Sequence, residues 1–152
     1  MKDITAFINE NKEVKHYADG ILFNKDTNEI LLLQRAGYVK LFGGKWGFVG
    51  GAIDEKDKSP KDALIREIKE ETGITLSFNE EHSMKPFGKE VHDNGSDTQY
   101  FIVNLETKPE VKISREHSRY KWFNEKTIKE KQTKCIPGIF QYIQKFYDEI
   151  EK

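Results

Sequence analysis

The chain has 152 residues, of which 36% are hydrophobic and 34% charged. That is the size and polarity of one soluble globular domain with a single core. Its 25 Lys plus Arg against 26 Asp plus Glu give a formal net charge of -1, which argues against a general nucleic-acid binder but leaves room for one nucleotide in a local site. The single cysteine, Cys135, excludes an intramolecular disulfide. With no export-type leader in the first residues and no apolar run near the roughly 20 residues that span a bilayer, a reducing cytoplasmic setting without membrane contact is expected.

No repeat or low-complexity linker divides the chain, so residues 1–152 are read as one domain. Residues 3–12 are expected to form a short helix, with Ile4, Phe7 and Ile8 on one side. Residues 16–23 and 29–35 read as two strands around the turn-prone stretch Asn24 to Asn28. Five glycines then fall within residues 43–51, a compact turn-rich connection in which backbone can approach closely. Ser59-Pro60 supplies an N-cap and a first-turn proline for a helix ending at Thr72, with Gly73 as its C-terminal cap. Beyond it, residues 74–78, 85–91, 98–106 and 119–124 read as strands, and 128–131 as a short helical turn. The spacing of Ile139, Tyr142, Ile143, Phe146 and Ile150 predicts a final amphipathic helix, a packing stripe. Strands, helix, strands, helix suggest an α+β protein, with an α/β/α sandwich around a mixed β-sheet.

The helix over 60–72 carries the chemical signal. At about 100° per residue, Leu64, Ile65, Ile68 and Thr72 share one side. Glu67, Glu70 and Glu71 occupy an adjoining sector, and Asp62, Arg66 and Lys69 face solvent. Glu67 and Glu71 are a like-charged i, i+4 pair near a helix C-terminus, where the macrodipole also disfavours anions. Arg66 can offset part of this through Glu67 or Glu70. The remaining charge calls for a partner, and a hard divalent cation with oxygen ligands fits. Taken alone, such a run is more often a solvated acidic face.

The wider pattern changes that balance. Arg66-Glu67-Ile68-Lys69-Glu70-Glu71-Thr72-Gly73-Ile74 matches the second half of the Nudix box at every specified position. Gly44-Lys45-Trp46-Gly47-Phe48-Val49-Gly50-Gly51 is similar to that family's Gly-Lys-Trp-x-x-Pro-Gly-Gly, with Val49 in the proline's place. Ile30 to Arg35 resembles its feeding strand, and Glu116 to Phe123 a later strand near the active site. The first half of the box departs from the pattern: the loop from Gly51 to Arg66 is one residue too long. Lys58 then aligns with the first glutamate, and Asp54, Glu55 and Asp57 are the candidates to replace it.

The resemblance implies a Nudix fold and hydrolysis of a diphosphate bond in a nucleoside diphosphate-linked small molecule. Nucleoside triphosphates, cleaved to monophosphate and pyrophosphate, lead; ADP-ribose and dinucleoside polyphosphates are alternatives. A non-catalytic nucleotide sensor and an isomerase are the competing functions. Glu67, Glu70 and Glu71, with the Gly50 carbonyl, would hold Mg²⁺ or Mn²⁺. Glu70 or Glu67 would accept a proton from water, and Arg66 would orient a glutamate. Glu116 is a candidate further ligand or base, weighed equally against an exposed loop acid. Arg35 is a candidate contact to base or phosphate, weighed equally against a strand-end surface charge. Trp46 and Trp122 are expected to pack in the fold, Cys135 to be an ordinary buried or half-buried thiol, and His92 and His117 to lie on the surface or in loops.

Overall fold

The computed structural model describes residues 13–151; the helix expected over 3–12 lies outside them. Seven strands are present among the described residues: β1 (His16–Asn24), β2 (Glu29–Arg35), β3 (Trp46–Gly47), β4 (Val49–Ala52), β5 (Lys85–Val91), β6 (Asp97–Leu105) and β7 (His117–Phe123). Helices are α1 (Pro60–Thr72), α2 (Phe78–Ser83), α3 (Glu125–Glu130) and α4 (Ile139–Ile150), with a 3-10 turn at Gln132–Lys134.

The sheet is mixed. β6 runs parallel to β1 along its whole length, from His16 opposite Asp97 to Asn24 opposite Leu105. The other edge of β1 is divided: β4 pairs antiparallel with Tyr17 to Gly20, and β2 with Phe23 and Asn24. β2 also pairs antiparallel with β3 and β7, and β5 pairs antiparallel with the far side of β6. The chain can therefore leave β1 through the hairpin and return as β4 beside the strand's beginning, which brings the glycine-rich segment back to the sheet's centre.

Side chains alternate between the sheet's two faces, and the core follows that alternation. Ala18, Leu22, Leu31, Leu33, Phe101 and Val103 pack with Ala63, Leu64 and Ile68 of α1 on one face. Ile21, Phe23, Ile30, Leu32, Tyr100 and Ile102 pack with Ile139, Ile143, Phe146 and Tyr147 of α4 on the other. This is the expected sandwich, with continuous apolar runs in strands covered on both sides.

One expected strand is absent. Residues 74–77 have no regular structure, and Phe78–Ser83 is helical. Ser77 accepts from the Glu80 amide at 3.1 Å while the Ser77 amide donates to Glu80 at 2.8 Å, a capping box that starts α2. Ile74 and Leu76 are buried in the core without a strand partner, so their alternation reflects burial and not a ladder.

Candidate active site

Local sequence sets both ends of α1. Ser59 accepts from the Asp62 amide at 3.1 Å, Pro60 opens the helix, and Gly73 ends it with φ 74°, donating to the Lys69 carbonyl at 2.9 Å. Burial of Leu64, Ile68 and Thr72 orients the helix, leaving Glu67, Glu70 and Glu71 towards the β4 segment and the loop before β7.

Arg66 gathers the acids. Its Nε and Nη2 donate to the two Asp57 carboxylate oxygens at 3.0 and 2.9 Å, a bidentate pair. Nη1 donates to Glu67 at 3.0 Å and to Glu70 at 3.2 Å, and Nη2 also reaches the Ala52 carbonyl at 3.2 Å. The Arg66 hydrogen bonds hold the Asp57 carboxyl below its usual range, helped by the Asp54 amide donating at 2.8 Å. In turn Asp57, then Glu70 and Glu67, raise the guanidinium above its own. Of the three loop acids, Asp57 is thus the one that joins the cluster; Lys58 is exposed.

Glu71 is 8% exposed. Its Oε1 accepts from the Gly50 amide at 2.9 Å and its Oε2 lies 3.8 Å from His117 Nε2. Burial pushes its carboxyl up to about 9, opposed by the Gly50 hydrogen bond and reinforced by the charges of Glu67, Asp19 and Glu116. Burial also raises Glu67. Burial and the charge of Arg35 push the His117 imidazole below its usual value, opposed by Glu116. The glycine pair permits this closeness. A Cβ on Gly51 would lie 2.7 Å from the Glu67 carboxyl carbon, and one on Gly50 would lie 2.3 Å from the Ala18 carbonyl oxygen.

Glu67, Glu70, Glu71 and Glu116, with Ser114 and Arg115, line a cavity of about 350 Å³. The donors are oxygens, and among the described residues no Lys or Arg pairs with the buried Glu71, so the chemistry suits a hard divalent cation. Among the described residues no group of three or more His, Cys, Asp or Glu side chains is gathered closely enough to hold a metal ion by itself.

A second cavity of about 470 Å³ shares Glu67, Glu71 and Glu116 with the first and continues beneath the sheet. Tyr17, Asp19 and Tyr100 form its floor, Ile136, Pro137 and Ile139 stand opposite, and Lys15 and Arg35 line it. Arg35 donates from Nε to the Leu41 carbonyl at 2.8 Å. A larger groove of about 660 Å³, bordered by Phe23, Phe87 and Phe146, includes no residue of α1.

The folded chain thus brings together Arg66, Glu67, Glu70, Glu71, Gly50 and Glu116, with Arg35 in the adjoining cavity. Trp46 and Cys135 are buried and Trp122 packs at the core's margin, as expected. His117 is a correction: it opens β7 and is 7% exposed, neither a surface nor a loop residue; His92 lies in the loop between β5 and β6, as expected, but buried, at 3% exposed. β-pairing and the packed loops around them enclose both rings. Asp19 was not among the sequence candidates. Its signal was a lone acid inside the otherwise uncharged run Tyr17 to Phe23 of a core strand.

Comparison with known proteins agrees with the geometry. A family model described as the NUDIX domain matches residues 14–144. An RNA pyrophosphohydrolase from a Nitratiruptor species is 44% identical over 77 residues, 45% of this chain and 48% of that protein. A dihydroneopterin triphosphate diphosphatase from Haemophilus influenzae is 35% identical over 77 residues, 51% of this chain and 46% of that protein. The matched segments span about half the length of these curated relatives. Among solved structures, a MutT protein from Methanosarcina mazei is similar in fold, with TM-score 0.69 and 24% identity over 91% of this chain and 96% of that one. With the family model covering most of its length and the fold matching throughout, the chain belongs to the Nudix family.

Proposed function

We propose that the protein is a cytoplasmic, Mg²⁺-dependent hydrolase that cleaves a diphosphate bond in a nucleoside diphosphate-linked small molecule, with nucleoside triphosphates as the leading substrates. The observation that carries this reading is the acidic cavity of Glu67, Glu70, Glu71 and Glu116 opening into an aromatic and basic one. The two curated relatives, named as a pyrophosphohydrolase and a triphosphate diphosphatase, support the same reaction class.

Glu67, Glu70 and Glu71 would hold the cation, with the Gly50 carbonyl and Glu116 as further oxygen ligands; Mn²⁺ could take the same place. A divalent ion held there would supply the positive charge that neutralises phosphate oxygens and the leaving phosphate. Arg66 keeps Glu67 and Glu70 in position and does not touch substrate. Water attacks one phosphorus, the bridging phosphorus–oxygen bond breaks, and the water's proton passes to Glu67 or Glu70. Arg35 meets the negative charge of the polyphosphate where the two cavities join.

The test is a hydrolysis screen with and without Mg²⁺ over nucleoside triphosphates, ADP-ribose and dinucleoside polyphosphates. Wild-type turnover is expected on at least one, with a loss of about 10²–10³-fold or more in Glu70→Gln. Equal turnover in both proteins, or tight nucleotide binding with no turnover, would refute the mechanism.

A further inference from the structure

The second cavity holds a polar group that the proposed reaction does not use. Register places Asp19 opposite Gly50 on one neighbouring strand and opposite Tyr100 on the other. Residues facing each other across a ladder point to the same side of a sheet. Asp19 therefore lies in a row with Tyr100 on the α4 side of the sheet, in a cavity that Glu67 and Glu71 also line. Gly50 has no side chain to cover it, and a Cβ there would meet an Asp19 carboxylate oxygen at 2.3 Å.

The carboxylate receives no hydrogen bond or ion pair from any described residue. The Tyr100 hydroxyl donates to Glu90 at 3.3 Å and Thr98 Oγ1 lies 3.3 Å from His92 Nε2, while Arg35 in the same cavity acts on Asp19 through its charge without a hydrogen bond to it. Where it is ionised this carboxyl is acceptor-only, and it lines a pocket with aromatic walls. Phe48 and Tyr100 meet edge to face at 6.0 Å on one side of that space, with Ile136 and Pro137 across it. Flat apolar walls with a few placed polar groups fix a planar ring in a pocket, and here Asp19 stands among such walls together with Lys15 and Arg35.

We infer that Asp19 reads the ring of the substrate, and that the preferred ring presents two adjacent N–H donors. This rests on the reading of the cavity as a nucleotide site. A carboxylate offers two acceptors side by side. The 2-amino-4-oxopyrimidine edge of guanine answers with a ring N–H and an exocyclic amino group; pterins carry the same edge. Uracil and thymine place their single N–H between two carbonyls, and adenine and cytosine set an acceptor beside their amino group. Each of those brings a lone pair against Asp19. A site whose polar group is left unpaired discriminates strongly against the ligand that leaves it so.

Binding without cleavage separates this inference from the hydrolase reading. GMP, UMP and neopterin have no diphosphate bond, and their affinities are measured by calorimetry on the wild type and Asp19→Asn. Melting temperature of each protein verifies folding. GMP is expected to bind about 10–100-fold more tightly than UMP, as a two-point pair discriminates between bases. In Asp19→Asn that ratio is expected to fall to about threefold or less, because one acceptor becomes a donor. Neopterin binding more tightly than GMP would assign the edge to a pterin, and the reverse to a guanine nucleotide. No preference of either ring over UMP, or a preference that survives in Asp19→Asn, overturns the inference. A GMP preference alongside a failed hydrolysis screen would retain it and refute the hydrolase reading instead.

Discussion

Arg66 and Asp57 form a two-point ion pair, Nε to Oδ1 at 3.0 Å and Nη2 to Oδ2 at 2.9 Å, which joins the irregular loop to the acidic helix. The same guanidinium reaches Glu67 and Glu70. It partly neutralises a crowded set of like charges and limits their rotamers, so the loop acid acts on the site through Arg66.

Asp57→Asn should therefore lower kcat by about 10–100-fold, the usual effect of losing a group that orients metal-binding side chains, with KM changed much less. Lys58→Ala should stay within about twofold of wild type. Steady-state kinetics on the substrate found in the screen separates the two; a large loss at Lys58 and none at Asp57 would reverse the assignment.

The two glycines before α1 should fail in different ways. In Gly50→Ala the new methyl meets backbone, the Ala18 carbonyl oxygen and the Asp19 Cα, which cannot move without disturbing the β1–β4 pairing. Destabilisation of about 1–3 kcal/mol is expected in urea unfolding. In Gly51→Ala the methyl meets the end of the Glu67 side chain, which can swing away. Stability should hold nearly constant while Mg²⁺ affinity falls about tenfold or more.

The pH dependence of the metal-free protein follows from Glu71. Its folded carboxyl is raised to about 9 from an unfolded value of 4.5, so the native state binds the proton more tightly than the unfolded state. Stability is fully present below about pH 4.5 for this group and is lost as pH rises towards 9. Asp19, pushed up to about 7 by burial and by Glu67, acts in the same direction. The melting temperature without metal should fall across that window, and Glu71→Gln should flatten the fall. Adding Mg²⁺ should restore stability most at the alkaline end and release protons on binding. A metal-free melting temperature that rises steadily from pH 5 to 9 would contradict this account.

A fourth expectation separates packing from chemistry. Leu64 is fully buried beneath the sheet and carries no group that could bind a cation. Leu64→Ala should cost about 2–5 kcal/mol in chemical unfolding while leaving Mg²⁺ affinity of the folded protein within about threefold.

Much of this molecule is written in local pattern. The caps Ser59 and Gly73, the buried stripe of Leu64 and Ile68, and the acidic sector beside it depend on residues within a few turns of one another. They were legible from order and spacing alone. So were β1, β2, β6 and α4, whose apolar periodicity matches their packing, and the place of β5 along the chain. Residues 74–78 misled because a short alternating run cannot say whether its burial comes with a ladder partner, and Ser77 with Glu80 starts a helix there instead.

The Arg66 to Ile74 segment by itself determined that three carboxylates would crowd one helix face. Only the tertiary structure decided what answers them. Asp57 and not Lys58 meets Arg66 because the loop's extra residue is taken up in a turn, a matter of chain path that counting positions does not settle. Glu71 became the buried acid because β4 returns beside β1 and lays the Gly50 amide against it. Asp19, far from the box in sequence, joined the adjoining cavity because strand register set it opposite a glycine. Periodicity is a property of neighbours along the chain, whereas burial and the pairing of distant charges exist only once the sheet has closed.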